Sequence, residues 1–209
     1  MNSLSNAVKE AKKQQAITCL FLEDGVHDEG GNMVYINIPI SIIGESREHC
    51  LVMGGLWMNG KEEDDVNVSN LTLRDSKGHG VYGDNGASFH LDNVSVENSG
   101  NYGVSLYSSK RNTMKNCNVS HSKHSGLFVH FGLMTIDGNG TTIHHNCTNG
   151  GGDDYGLDAC DFSYSSPSSI HLASPLTIET ISKNNGGGGN HGGNGTIKTM
   201  TNNTKEAKK

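Results

Sequence analysis

Residues 70–81 read NLTLRDSKGHGV, residues 93–104 read NVSVENSGNYGV and residues 116–127 read NCNVSHSKHSGL. Superimposed, they share three landmarks spaced 23 residues apart: Asn70, Asn93 and Asn116; Ser76, Ser99 and Ser122; and Gly80-Val81, Gly103-Val104 and Gly126-Leu127. Three independent markers on one period are the mark of a repeat architecture. Within each unit Leu71 and Leu73, Val94 and Val96, and Cys117 and Val119 alternate with Thr72, Ser95 and Asn118, the pattern of a strand with one buried face. A second short strand follows the glycine, with Val81, Val104 and Leu127 pointing inward, and another turn closes the unit. Such a unit is too short for a βαβ crossover and lacks a helical period. It buries its apolar face only by coiling, so that each strand lies on its counterpart one repeat away. The predicted fold is therefore all-β, a single-stranded parallel β-helix of about seven to eight coils.

Beyond these three units, the fourth coil is looser. Thr141-Thr142-Ile143-His144 takes the first-strand place, and Gly156 follows Gly126 by 30 residues, so six or seven residues are inserted. Cys147 to Asp154 should form a protruding, mobile loop, because three consecutive glycines fix no backbone conformation. Ser169–Leu172, Leu176–Ile181 and Thr196–Met200 read as strands of the last coils. Towards the N-terminus, Ile17–Leu22, Val34–Ile38 and Ile40–Glu45 read as strands of the first. Ser3 caps a helix over about residues 3–14 whose Leu4, Ala7, Val8 and Ala11 share one face. That helix would close the open end of the solenoid. The β-helix is expected over 1–203 as one domain, with 204–209 a disordered polar tail.

Composition agrees with this reading. Of 209 residues 33% are hydrophobic and 28 are glycine, which starves a helical bundle, while only 18% are charged, which is not the makeup of a disordered chain. The net charge is −6 and the three arginines, Arg47, Arg74 and Arg111, are scattered, so no nucleic-acid partner is expected. The N-terminus lacks a signal peptide's apolar core and no window suits a membrane span, so a soluble, cytoplasmic protein without membrane contact is expected. Five cysteines, an odd number without CxxC spacing, favour a reducing compartment.

The order of a helix with AVKEA, a strand, DGVH, a strand, IPISIIGES and then the NVSNLTLRDSKGHGVYG-type units resembles the right-handed parallel β-helix superfamily over about residues 4–200. That superfamily includes pectate lyases, polygalacturonases and the CASH-type repeats of eukaryotic F-box proteins. The resemblance implies a right-handed coil and, as one option, polysaccharide lyase or glycoside hydrolase activity. The polygalacturonase pattern is incomplete, because Gly78-His79-Gly80 precedes Asp153-Asp154 instead of following it and no Arg-x-Lys occurs. His79 shares its slot with Tyr102 and Ser125, which favours a turn role. A lyase would need a basic residue beside acidic calcium ligands; Lys110, Arg111 and Lys115 have no carboxylate cluster on their coil.

The repeat frame also orders the outward residues. Tyr82, Ser105 and Phe128 fall in one column and Asp84, Tyr107 and His130 in its neighbour, extended by Asp158 and Cys160. Tyr82, Asp84, Tyr107, Phe128 and His130 are thus candidate ligand-binding residues, a platform suited to a glycan or a protein partner. Asp84 and Asp158 sit three coils apart, roughly 14 Å at about 4.8 Å per coil, too far for paired glycosidase carboxylates. Asp153, Asp154, Asp158 and Asp161, beside His130 and His144, are the remaining candidates for acid/base chemistry or calcium; no other cofactor is expected. His144 and His145 with Cys147 lack a fourth ligand, and adjacent strand residues face opposite ways, so no transition-metal site is expected. Asn70, Asn93 and Asn116 should stack as a structural amide ladder. The favoured function is a non-catalytic scaffold; a polysaccharide-cleaving enzyme and an assembly module that pairs through solenoid faces or ends are the alternatives.

Overall fold

The computed structural model describes residues 3–161 and 167–200. The predicted tail, 204–209, lies outside the described residues. Over the described residues the chain forms a parallel β-helix of seven full coils, and an eighth is opened by its first strand. Each coil has three faces. The first face stacks Cys19–Leu22, Ile40–Gly44, residues 65–69 and 88–92, Asn112–Lys115, Leu133–Asp137, Ser169–Ala173 and Thr196–Met200 in parallel register. The second stacks 25–28, 50–53, 71–74, 94–97, Asn118–Ser120, Thr142–His144 and Ser182–Lys183. The third stacks 33–36, 55–58, Val81–Asp84, Val104–Tyr107, Leu127–His130, Tyr155–Ala159 and Gly189–Gly192.

The repeat pattern predicts two strands per coil, with a turn in place of the first-face segment. The structure corrects this, and the cause is local. Strands 65–69 and 71–74 are joined through Asn70 alone, and 88–92 and 94–97 through Asn93 alone. No cluster of turn residues marks the boundary. Both asparagines turn the chain at φ 55°, a left-handed conformation that Asn tolerates better than most residues.

Each face contributes two inward side chains per coil. The coil from Ser88 to Tyr107 buries Phe89 and Leu91, Val94 and Val96, and Val104 and Leu106. Each such side chain stabilises by roughly 1.5–3 kcal/mol when fully removed from water, provided the neighbouring coils cover it. The N-terminal coil is covered by helix α1, Leu4–Gln14, capped by the Ser3 hydroxyl and burying Leu4, Val8 and Ala11, as the sequence predicts. A second departure lies near the other end: residues 178–181 form a one-turn helix instead of a strand. Thr177 N donates to Thr180 Oγ1 at 2.9 Å, and this local bond competes with sheet pairing.

The asparagine ladder is shorter than expected. Asn93 Nδ2 donates to Asn70 Oδ1 at 3.0 Å. No matching bond joins Asn93 to Asn116, whose side chain packs against Gly138 and Gly140. A more deeply buried polar column runs through Ser76, Ser99, Ser122 and Asn146. Asn146 Oδ1 accepts from Ser122 N at 3.1 Å and Ser122 Oγ at 2.6 Å, and its Nδ2 donates to Val119 O at 3.0 Å and Asn185 Oδ1 at 3.1 Å. Because Asn146 holds buried partners that water cannot reach, Asn146→Leu should lose on the order of 3 kcal/mol in urea unfolding. Asn93→Gly, which removes the half-exposed amide bond and keeps the positive φ without strain, should lose about 1 kcal/mol. Equal midpoints for the two variants would contradict this ranking.

Candidate functional site

Every second residue of the third face points outward, and the register sets these residues in columns. One column holds Tyr35, Trp57, Tyr82, Ser105, Phe128 and Asp158. Beside it, Asn59 pairs with Asp84, and Tyr107 with His130. The column Tyr82, Ser105, Phe128 and Asp158 read from the 23-residue period is therefore present in the register, and in its neighbour Tyr107 and His130 are paired. Tyr35 and Trp57 extend the first column downward and escaped the sequence reading, because the early coils are irregular: 22 residues separate Tyr35 from Trp57 and 25 separate Trp57 from Tyr82.

The rings form an unbroken run. Tyr35 meets Trp57 edge-on at 5.2 Å between centroids, and Trp57 lies 6.0 Å from Tyr82. His79 stacks on Tyr82 at 4.9 Å and on Tyr102 at 5.5 Å, and Tyr102 stacks on Phe128 at 4.6 Å with planes 8° apart. Small, buried Ser105 leaves the room in which Tyr102 leans across to Phe128. His130 continues the run to Tyr107 and Phe131. Phe131 holds φ 52° at the corner that Asn85 and Ser108 turn in earlier coils, a costly conformation for a bulky residue. In the middle of the run the rings cover one another. Ring surface reaches water chiefly at Tyr35 (48% exposed), Trp57 (37%) and Tyr107 (42%).

His79 does sit in the turn slot it shares with Tyr102 and Ser125. Burial, and then the neighbouring His124, push its pKa down to about 4, so the ring stays neutral. Its Nδ1 is buried without a hydrogen-bond partner. His130 is also largely buried, and Nδ1 donates to Cys160 O at 2.8 Å. Asp84 accepts from Asn85 N at 2.7 Å. Burial and then the adjacent Asp84 raise the pKa of Tyr82.

At its upper end the run opens into a cleft of about 660 Å³ walled by Tyr102 and Phe128 on one side and by Gly151–Asp154, Tyr155, Asp158 and Cys160 on the other. The inserted loop thus protrudes beside the site, with residues 148–153 exposed. Ser125 is buried behind this lining. Its Oγ accepts from Tyr155 N at 3.0 Å and faces two carboxylates, Asp158 Oδ2 at 3.0 Å and Asp154 Oδ1 at 3.5 Å. The other oxygen of Asp154 meets His124 Nδ1 at 2.9 Å. Burial pushes the pKa of Asp158 up to about 6; the Ser125 bond opposes this, and the charges of Asp154 and Asp153 add to it.

Of the predicted acidic quartet, the structure brings Asp154 and Asp158 together and leaves Asp153 exposed on the loop. Asp161 turns away, its carboxylate accepting from Ser168 N at 2.5 Å. His144 lies on the second face, and the partner of Asp154 is His124, which the sequence did not single out. Its signal was weak, since no residue type recurs at that place in the earlier coils.

The family model described as right-handed beta helix region matches residues 54–207. The chain belongs to the right-handed β-helix family. No curated protein and no solved structure matches this β-helix. Among its described residues no helix is long and apolar enough to cross a membrane, and no group of three or more His, Cys, Asp or Glu side chains is arranged to hold a metal ion.

The raised pKa of Asp158 has a defined sign in stability. Between the ordinary value of 3.8 and about 6 the folded chain holds a proton that the unfolded chain releases, so this group's contribution is present at low pH and is lost as pH rises through 6. Asp158→Asn should therefore be more stable than the wild type at pH 7, on the order of 2 kcal/mol, with the difference shrinking towards pH 4. Urea unfolding across that range reads the effect; a constant difference would place the carboxyl in a different environment.

Proposed function

We propose that this β-helix binds an extended carbohydrate chain along its third face, with one end of the chain seated in the cleft above Phe128. The observation that carries this reading is the continuous run of rings from Tyr35 to Tyr107 and its opening into a cleft with acceptors on its floor. Sugar rings offer flat C–H faces to aromatic surfaces and hydroxyl edges to carboxylates and histidines. The third face supplies both: exposed ring surface at Tyr35, Trp57 and Tyr107, and Asp84, Asp154 and Asp158 as acceptors. Alanine at Trp57 and Tyr107 together should weaken binding of a recognised oligosaccharide at least tenfold in calorimetry, with unchanged circular dichroism. Full retention of affinity would overturn the assignment to this face.

A second reading, cleavage, is favoured by the shared hydroxyl of Ser125. The nearest oxygens of Asp154 and Asp158 lie no farther apart than the two contacts to that hydroxyl laid end to end. Glycosidase carboxyls work at separations of about 5 to 9.5 Å, so the objection raised by Asp84 and Asp158 does not apply to this pair. Asp158, which holds its proton to higher pH, is suited to protonate a leaving oxygen, and Asp154 to act as the base or nucleophile. In a reducing-sugar assay on bound oligosaccharides, activity would have to fall at least a hundredfold in Asp158→Asn. Binding without product formation leaves the scaffold reading alone.

A further inference from the structure

Outside this site, the outward residues of the second face form a chain of hydrogen bonds whose direction is fixed from below. Arg74 donates from Nε and Nη2 to Glu97 Oε2 at 3.0 and 2.7 Å, and Ser95 Oγ donates to Glu97 Oε1 at 2.8 Å. With its proton committed, Ser95 Oγ accepts from Asn118 Nδ2 at 3.0 Å. Asn118 therefore turns its Oδ1 to the next coil, where it accepts from Thr142 Oγ1 at 3.0 Å and His144 Nε2 at 2.9 Å. Since Nε2 of His144 must carry a proton, its Nδ1 is a bare lone pair in the neutral ring. Burial and the neighbouring His145 and His121 lower the His144 pKa and favour that neutral form, while Glu97 opposes them.

This bare nitrogen faces Nδ1 of His145 at 2.8 Å. The sequence expectation that adjacent residues face opposite ways fails here for a backbone reason: His145 stands on a corner at φ 54°. Cys147, the third residue weighed in the sequence, is buried and takes no part. His121 turns the same corner one coil below at φ 59°, its ring parallel to that of His145 at 5.6 Å.

We propose that His144 and His145 form a chelating pair for a divalent transition-metal ion of the copper(II) or nickel(II) type. The two Nδ1 atoms already meet at 2.8 Å in a hydrogen bond, and a swing of the exposed His145 ring aims both at one ion; imidazole pairs hold copper(II) and nickel(II) in tetragonal geometry, and copper(II) more tightly than zinc(II). As the ion enters, His145 gives up the Nδ1 proton it shares with His144 and takes one from solvent on Nε2, so both ligands are neutral imidazoles, and water completes the coordination. The Asn118 carbonyl orients His144 from behind, as outer partners of ligating histidines do. His145 is exposed, so its ring is free to turn aside for the ion. Lys183, in register with His144 one coil above, is the cation nearest in the ladder and Glu97 the counter-charge below.

The test is titration of the full chain with copper(II) chloride near pH 7, followed by calorimetry and electron paramagnetic resonance. One equivalent should bind with coupling to two imidazole nitrogens. His144→Ser and His145→Asn insert the residue types that neighbouring coils carry at these places, Ser120 and Asn184. Each should weaken binding at least tenfold and remove the two-nitrogen pattern, whereas His121→Asn should retain both. Zinc(II) chloride should bind the unmodified chain at least tenfold more weakly than copper. Unchanged copper isotherms in the two variants, equal loss in His121→Asn, or equal affinity for zinc would overturn the proposal.

Discussion

One residue at positive φ turns the chain from the first face to the second in the middle coils, and the geometry of the whole solenoid depends on that corner. Asn70, Asn93 and Asn116 turn it at 55°, 55° and 51°. A longer connection would let each coil slip against the next; a single residue leaves no slack, so the register set at the corner persists along both adjoining faces. Other corners obey the same constraint. Asp75, Asn98, His121, His145 and Asn184 turn the end of the second face, and Asn85, Ser108 and Phe131 the end of the third. Asparagine and aspartate dominate because their short polar side chains tolerate this conformation, and where a histidine or phenylalanine stands instead, a large ring is aimed where a strand would not place it.

From fixed register follow the columns, and from the columns the chemistry. The ring run exists because Tyr35, Trp57, Tyr82 and Phe128 occupy one outward position in successive coils, with a serine at the fourth that admits Tyr102 from the neighbouring slot. The acidic cleft exists because the same column ends in Asp158 just where an inserted loop returns with Asp154. Neither feature interrupts the hydrophobic interior, since inward residues alternate with these and pack as Val81, Val104, Leu127 and Leu157. Core and surface are thus specified by interleaved sets of residues on one strand.

Much of this was legible in the sequence. The period of 23 gave the fold, the inward residues and the columns through Tyr82, Phe128 and His130. It did not give Tyr35 and Trp57, where the period drifts, nor the first-face strands, whose junction is a single asparagine and not a cluster of turn residues. The pairing of Asp154 with His124 and of Asp158 with Ser125 was hidden for another reason: the insertion after His145 breaks the frame, and contacts made by an inserted loop follow from no repeat. The short helix at 178–181 likewise depends on a local bond between two threonines that β-propensity does not register.

Trp57 is the only tryptophan in the chain and stands on the ring column, so its fluorescence reports directly on the third face. Titration with neutral and acidic oligosaccharides of increasing length is the most direct measurement. If the column binds an extended glycan, at least one series should shift Trp57 emission saturably, with affinity rising as the chain lengthens from one coil's reach to several. No emission change with any glycan, or a change that does not depend on chain length, would contradict an extended site on this face.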